Sequence, residues 1–262
     1  MGKLCPYNNI VSKCTKVSVE NPLGVCSIWD TEQPIIICPV RFREGDDHLW
    51  RVVQDVAEFL LPNTNQYHLL REVPLADKAG DSVGKFDAVL VDYGSEQIVD
   101  FGALEIQAVY ITGNLRDPFS HYVDDPTSRH SEAWLGPKYP GPDWLSSIKR
   151  LIRQLTVKGA IFEAWNKRMA IAVQKQFFNR LNLMNNIDPR TIEDGEMGWF
   201  VYDLVQDPHT GRFALELEQT IYTSYADAMR QFSTLEAGDI KAFETALASR
   251  LAKPPGHRQY GN

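Results

Sequence analysis

Gly84-Lys85-Phe86-Asp87-Ala88-Val89-Leu90-Val91, followed after one turn by Ala103-Leu104-Glu105-Ile106-Gln107-Ala108-Val109-Tyr110, decides how this chain folds. The runs Lys85 to Tyr93 and Ile98 to Ile111 are apolar at consecutive positions, the pattern of central strands covered on both faces. The turn-rich Gly94-Ser95-Glu96-Gln97 joins them. Glu105 and Gln107 are two apart on a strand, so their side chains leave the same face. Asp87 makes the same polar interruption in the neighbouring strand. An ionised carboxylate inside a sheet is costly unless it is paired or holds a cation. Antiparallel pairing would bring Asp87 and Glu105 together, and a divalent cation with a taste for oxygen, such as magnesium, would relieve their repulsion. Equally, these groups could lie in solvent at strand ends or pair with Lys85, Arg116 or another base. Spacing alone leaves both readings open.

Working outward, Asp46 to Leu61 reads as a helix. Asp46 and Asp47 suit its first turn, Leu49, Val52, Val53, Val56 and Leu60 recur at helical spacing, and Pro62 stops it. A short strand follows at about Gln66 to Val73. Gly113 to Pro142, with five prolines, reads as a loop. Asp143 then caps a helix running to about Asn166, and Arg168 to Phe177 is a further strand. Trp199 to Val205 and Phe213 to Thr223 read as strands, and Ser224 to Ala252 as C-terminal helices. A helix between two strands implies a crossover, hence an α/β fold with a mixed central sheet and helices on its faces.

Four cysteines, Cys5, Cys14, Cys26 and Cys38, all fall in the first 38 of 262 positions. Independent scattering would do this with a probability of roughly 4 × 10⁻⁴, so the cluster reads as one binding event. Four thiolates around a single iron or zinc ion satisfy a tetrahedral thiophilic metal. Two disulfides, or four unrelated buried thiols, are the alternatives. The start Met1-Gly2-Lys3-Leu4-Cys5 does not resemble a secretory signal, and a reducing cytoplasm disfavours disulfides. The spacings of eight, eleven and eleven residues lack a tight C-x-x-C knuckle.

With 44% hydrophobic residues the chain can bury a sizeable core, and no stretch is apolar for long enough to span a bilayer. The net charge of −7 is unevenly spread. From Trp144 to Arg180, eight basic residues (Lys149, Arg150, Arg153, Lys158, Lys167, Arg168, Lys175 and Arg180) face Glu163 alone, a local +7 that leaves −14 elsewhere. Such polarity fits either an anion-binding face or a solvated basic helix.

The Asp…Glu-x-(Lys/Gln) pattern on the second and third strands of an αβββαβ order resembles the PD-(D/E)xK nuclease superfamily. Combined with four N-terminal cysteines and a Glu-x-Gln variant, it is similar more narrowly to the NotI-type restriction endonucleases, over most of the chain up to about Phe178. The resemblance implies a restriction-endonuclease-like catalytic domain over residues 46–262, preceded by a four-cysteine metal-binding module over residues 1–45. It implies a prokaryotic, cytoplasmic type II enzyme that cleaves specific double-stranded DNA sites by magnesium-dependent hydrolysis, and palindromic sites imply a homodimer. A repair nuclease on the same core, or a non-catalytic DNA-binding protein, are the rival readings.

By position, the resemblance makes Asp87 and Glu105 the magnesium ligands, and Cys5, Cys14, Cys26 and Cys38 the ligands of structural iron. Gln107 stands where most of the superfamily has lysine. A neutral amide can orient water but cannot supply the charge of an ammonium, which puts more reliance on metal. Glu72, fifteen residues before Asp87, matches a supporting glutamate of the family and is a candidate for a second metal or water contact. Gly80 to Phe86 falls one residue short of a phosphate-binding loop and precedes a strand. His121 and His130 read as solvated loop residues, Trp134, Tyr139, Trp144 and Trp165 as packing groups, and Arg116, Arg129 and Lys138 as possible donors to DNA.

Overall fold

A strand that is apolar on both faces must be covered on both, and the computed structural model shows how. It describes residues 5, 7, 14, 23–30, 33–45, 49–64, 66–125, 140–183, 187–233 and 239–251. The N-terminal part contributes a hairpin, β1 (Ser27–Asp30) and β2 (Gln33–Ile36), and a 3-10 helix over Pro39–Arg43. Next come α1 (Arg51–Leu60), β3 (His68–Ala76), β4 (Ser82–Gly94) and β5 (Gln97–Gln107). After β6 (Tyr110–Ile111), α2 (Arg116–Asp124) and β7 (Pro142–Asp143), a continuous helical stretch is made of α3 (Trp144–Gln154), a π-helical turn (Leu155–Gly159) and α4 (Ala160–Ala164). The chain continues with β8 (Met169–Gln174), α5 (Lys175–Leu181), β9 (Met197–Gln206), β10 (Phe213–Thr223), α6 (Tyr225–Ser233) and α7 (Ile240–Leu251).

Six strands form the central sheet in the order β10-β9-β8-β5-β4-β3. β3, β4 and β5 are antiparallel neighbours, β5, β8 and β9 run parallel, and β10 returns antiparallel. The parallel step from β5 to β8 passes through α3, the π-turn and α4, the crossover expected from the sequence. One face of the sheet (Ala88, Leu90, Leu104, Ala170, Ala172, Phe200) is covered by Val52, Val53, Val56, Phe59 and Leu60 of α1. Gly102 permits that close approach, since a Cβ there would lie 2.8 Å from Leu60 Cβ. The other face (Val89, Val91, Ala103, Ile171, Val173, Trp199) meets Leu151, Leu155 and Phe162 from the crossover helices.

The N-terminal hairpin is tied to the core. Gln174 at the end of β8 accepts from the Ile36 N–H at 2.7 Å and donates to Pro34 O at 2.7 Å, and Val109 N–H donates to Ile36 O at 2.9 Å. Ile35, Ile36, Ile37 and Phe42 are almost fully buried.

Several boundaries differ from expectation for local reasons. Asp46 and Asp47 lie outside the described residues, and α1 starts at Arg51 behind Trp50. The run expected as one strand to Ile111 ends at Gln107, and Tyr110–Ile111 pairs instead with Pro142–Asp143. Within the segment read as loop, Arg116–Asp124 is helical, with Asn114 Oδ1 accepting from the Arg116 N–H and Asp117 in the first turn. Met169–Gln174 is a strand, but Lys175–Leu181 turns into helix. No helix among the described residues is long and apolar enough to cross a membrane.

Candidate active site

Asp87 lies just beyond the ladder between β4 and β5, which begins at Ala88 opposite Leu104. There the backbone N–H of Ile106 turns to the Asp87 carboxylate instead of a strand partner, donating to Oδ2 at 2.8 Å. Glu105 and Gln107 follow on β5, and both are buried, at 2% and 5% exposure. The sheet thus brings Asp87 and Glu105 together as the sequence implied. Burial, opposed by the Ile106 N–H and by Lys158, pushes the Asp87 carboxyl above the usual aspartate range. Burial first, and then the Asp87 carboxylate, raise Glu105 to about 7 against the pull of Lys158. Two neighbouring carboxylates, one buried and one half-buried, both raised this way, mark a candidate functional site.

Lys158 stands among these carboxylates, although the sequence reading had placed it in an undifferentiated basic run. Its Nζ donates to Glu105 Oε1 and Oε2 at 2.8 and 2.9 Å and to Lys85 O at 2.6 Å, and lies 5.1 Å from the Phe86 ring centre. The π-helical turn carries it, and such turns often mark functional positions in helices. Gly159 lets the turn pack tightly, since a Cβ there would lie 2.5 Å from Tyr225 Cε2. Gln154, one helical turn earlier, also donates to Glu105 Oε1. No sequence signal marks the Lys158–Glu105 contact, because 53 residues separate the partners.

A small pocket of about 170 Å³ opens at this point, with Asp87, Gln107, Arg150, Gln154 and Pro39 in its wall. Gln107 Nε2 donates to Ala108 O. Glu72 stands one step away. The antiparallel register pairs Arg71 with Ala88 and Val73 with Phe86, which leaves Glu72 opposite Asp87. Its φ of +52°, unusual for a non-glycine residue, kinks the strand there. The pleat reverses at this step, since Leu69 packs with the α1 face while Val73 packs with the opposite one. Glu72 raises the Asp87 carboxyl electrostatically, but its own side chain is 59% exposed and lies 3.6 Å from Arg43.

Magnesium is commonly held by one or two carboxylates, with water and substrate phosphate completing its shell. The paired carboxylates of Asp87 and Glu105, beside the amide of Gln107 and a small pocket, fit that habit. Among the described residues no group of three or more His, Cys, Asp or Glu side chains is gathered so as to hold a metal ion. The same statement covers the cysteines. All four are free thiols, and Cys14 and Cys38 are buried. Burial, followed by the nearness of Cys38, Cys5 and Cys14, pushes the Cys26 thiol up to about 12. The other three thiols thus lie within electrostatic reach of Cys26 without closing into a cage, and the donor set suits a thiophilic metal in kind.

The basic run does not form a single anion-binding face. Lys167 pairs with Asp100, Lys175 with Glu218, and Arg168 donates to Phe59 O and Glu193 O. Arg180 lies 3.7 Å over the Trp144 ring and Arg150 5.3 Å over that of Tyr110. Lys149 and Arg153 stay exposed on α3. Arg116 and His121 fall on α2, whereas Arg129, His130, Trp134, Lys138 and Tyr139 lie outside the described residues.

A comparison with curated protein sequences gave no match. A family model described as restriction endonuclease NotI matches residues 2–215, a span that takes in all four cysteines, both carboxylate strands and the crossover. On that match, the chain belongs to the NotI restriction endonuclease family.

Proposed function

We propose that the protein is a type II endodeoxyribonuclease that hydrolyses specific phosphodiester bonds in double-stranded DNA, with magnesium held by Asp87 and Glu105. The observation that carries this reading is the buried Glu105 beside the half-buried Asp87, which walls a small pocket, in a chain of a restriction endonuclease family. Magnesium, when bound, neutralises charge on the transferring phosphate and favours hydroxide over water as the attacking group. The remaining work falls to the chain. The Ile106 N–H fixes one oxygen of Asp87 and so aims the other toward the pocket. Gln154 and Lys158 hold Glu105 from the helix side and set its orientation. Gln107, neutral and buried, can hold a water molecule in line by hydrogen bonding but adds no charge.

Glu72 is proposed as a supporting contact to metal or water, reached by rotation of its exposed side chain. Two-fold DNA sites call for a two-fold protein, so the active form is proposed to be a homodimer. For the cysteines we infer one structural iron or zinc ion, supported by four free thiols gathered in the first 38 residues. Incubation with phage DNA and magnesium, with sequencing of fragment ends, tests the reading. Discrete fragments with a shared end sequence are expected. Smears or structure-dependent cuts would favour a repair nuclease, and intact but retarded DNA would favour binding without catalysis.

A further inference from the structure

Arg43 is the last residue of the 3-10 helix that leaves Cys38, and Pro39 of that helix walls the pocket beside Asp87. Its guanidinium carbon lies 4.6 Å from the centre of the Trp50 ring, and that of Arg71 on β3 lies 4.7 Å from the same ring. Two cations therefore share one buried indole. Burial, and then the nearness of Arg43, push Arg71 below the usual arginine range. Such a pair gains from an anion. Glu72, at 3.6 Å, is beyond hydrogen-bond length and more than half exposed, and Arg43 Nε is buried with no hydrogen-bond partner. Arg43 also lowers the Asp87 carboxyl, so this under-used fork sits within electrostatic reach of the carboxylates proposed to hold magnesium.

We propose that Arg43 is a phosphate-binding residue, receiving a backbone phosphate of the DNA next to the bond that is cut. A guanidinium fork matches two phosphate oxygens, a closer partner than the 3.6 Å contact that Arg43 makes with Glu72. Trp50 is the shelf that keeps the fork in place, and Arg71 adds positive charge beside it. The N-terminal segment thereby supplies part of the substrate-binding surface. The chain of contacts is short: Cys26 O accepts from Ile37 and Cys38 N–H, and Cys38 O accepts from Arg41 N–H, two residues before Arg43. This inference rests on the nuclease reading above.

The test is DNA affinity as a function of salt, measured by fluorescence anisotropy with a labelled random-sequence duplex and calcium in place of magnesium. Each phosphate contact contributes about 0.9 to the slope of log affinity against log salt. Arg43→Gln should lower that slope by about one and weaken binding by about ten-fold at roughly 100 mM salt. Lys241→Gln, on exposed α7, removes the same charge and should leave both unchanged. Arg43→Lys keeps the charge without the fork, and should retain the slope while binding about three-fold more weakly. Binding by Arg43→Gln with wild-type slope and affinity overturns the proposal. Should that variant fail to fold, Arg43→Lys decides, and wild-type affinity in it overturns the proposal equally. Absence of DNA binding by the wild-type protein would remove the nuclease reading itself and this proposal with it.

Discussion

Lys158→Met removes the ammonium that neutralises Glu105 while keeping a side chain long enough to fill its track past Phe86. In the metal-free protein the change leaves a buried carboxylate beside a second one, Asp87, with three charge-assisted hydrogen bonds gone. Losing one partner of a buried ion pair costs about 3–5 kcal/mol. Part of that loss is recovered if Glu105 takes up a proton, so about 3 kcal/mol is the figure to expect near pH 8. At about 2–4 °C per kcal/mol for a chain of this size, the thermal midpoint should fall by roughly 6–12 °C. Calorimetric melts in a chelator would measure it. Near pH 6 the deficit should shrink, because Glu105, raised to about 7 even in the wild-type protein, is then largely neutral. Combining Lys158→Met with Glu105→Gln should recover much of the loss, because no uncompensated charge remains. A single variant that melts within about 2 °C of wild type at both pH values would refute the idea that Lys158 holds this site together.

Asp87→Ala or Glu105→Ala should abolish cleavage while the fold and most of the DNA affinity survive, and Gln107→Ala should be milder because an amide only orients water; gel-resolved digests alongside anisotropy would read both effects. Comparing Glu105→Gln with wild type in a chelator isolates one titration. A carboxyl whose folded pKa is raised favours folding fully below its unfolded value of about 4.5, and this advantage is lost as pH rises to about 7, so wild type should lose about 3 kcal/mol relative to the variant over that window. Denaturant midpoints across that range would check it, and a flat difference would contradict the assignment. Cys38→Ser should lower the metal content, expected at about one iron or zinc per chain, and should lower stability and DNA affinity together, as elemental analysis and melts would report.

The parts of the fold that could be read from sequence are those set by continuous local pattern. The apolar runs of β4 and β5, the period of α1 and the Asp143 cap, whose side chain accepts from Ser146 N–H at 3.0 Å, follow the spacing, although β5 stops at Gln107 and α1 starts at Arg51. So does the convergence of Asp87 and Glu105, because two polar residues in adjacent apolar strands have few places to go. Lys158 was illegible for a physical reason. A lysine on a helix reads as solvated until the path of the crossover is known, and the π-helical turn that aims it inward leaves no mark in composition. Glu72 was found through the family pattern, whereas its left-handed backbone and its pairing with Arg43 depend on a strand kink. The helix at Arg116–Asp124 is hidden by Pro118 in its first turn and Pro126 just past its end.

Digestion of phage DNA in magnesium by wild-type protein and by Asp87→Ala, side by side, tests the central claim most directly. Wild type should give discrete, reproducible fragments that vanish when the metal is chelated, and Asp87→Ala should leave the DNA at full length while still retarding it. DNA left intact by the wild-type protein, or cut as fast by Asp87→Ala, would contradict the assignment of the Asp87–Glu105 pair as the catalytic centre.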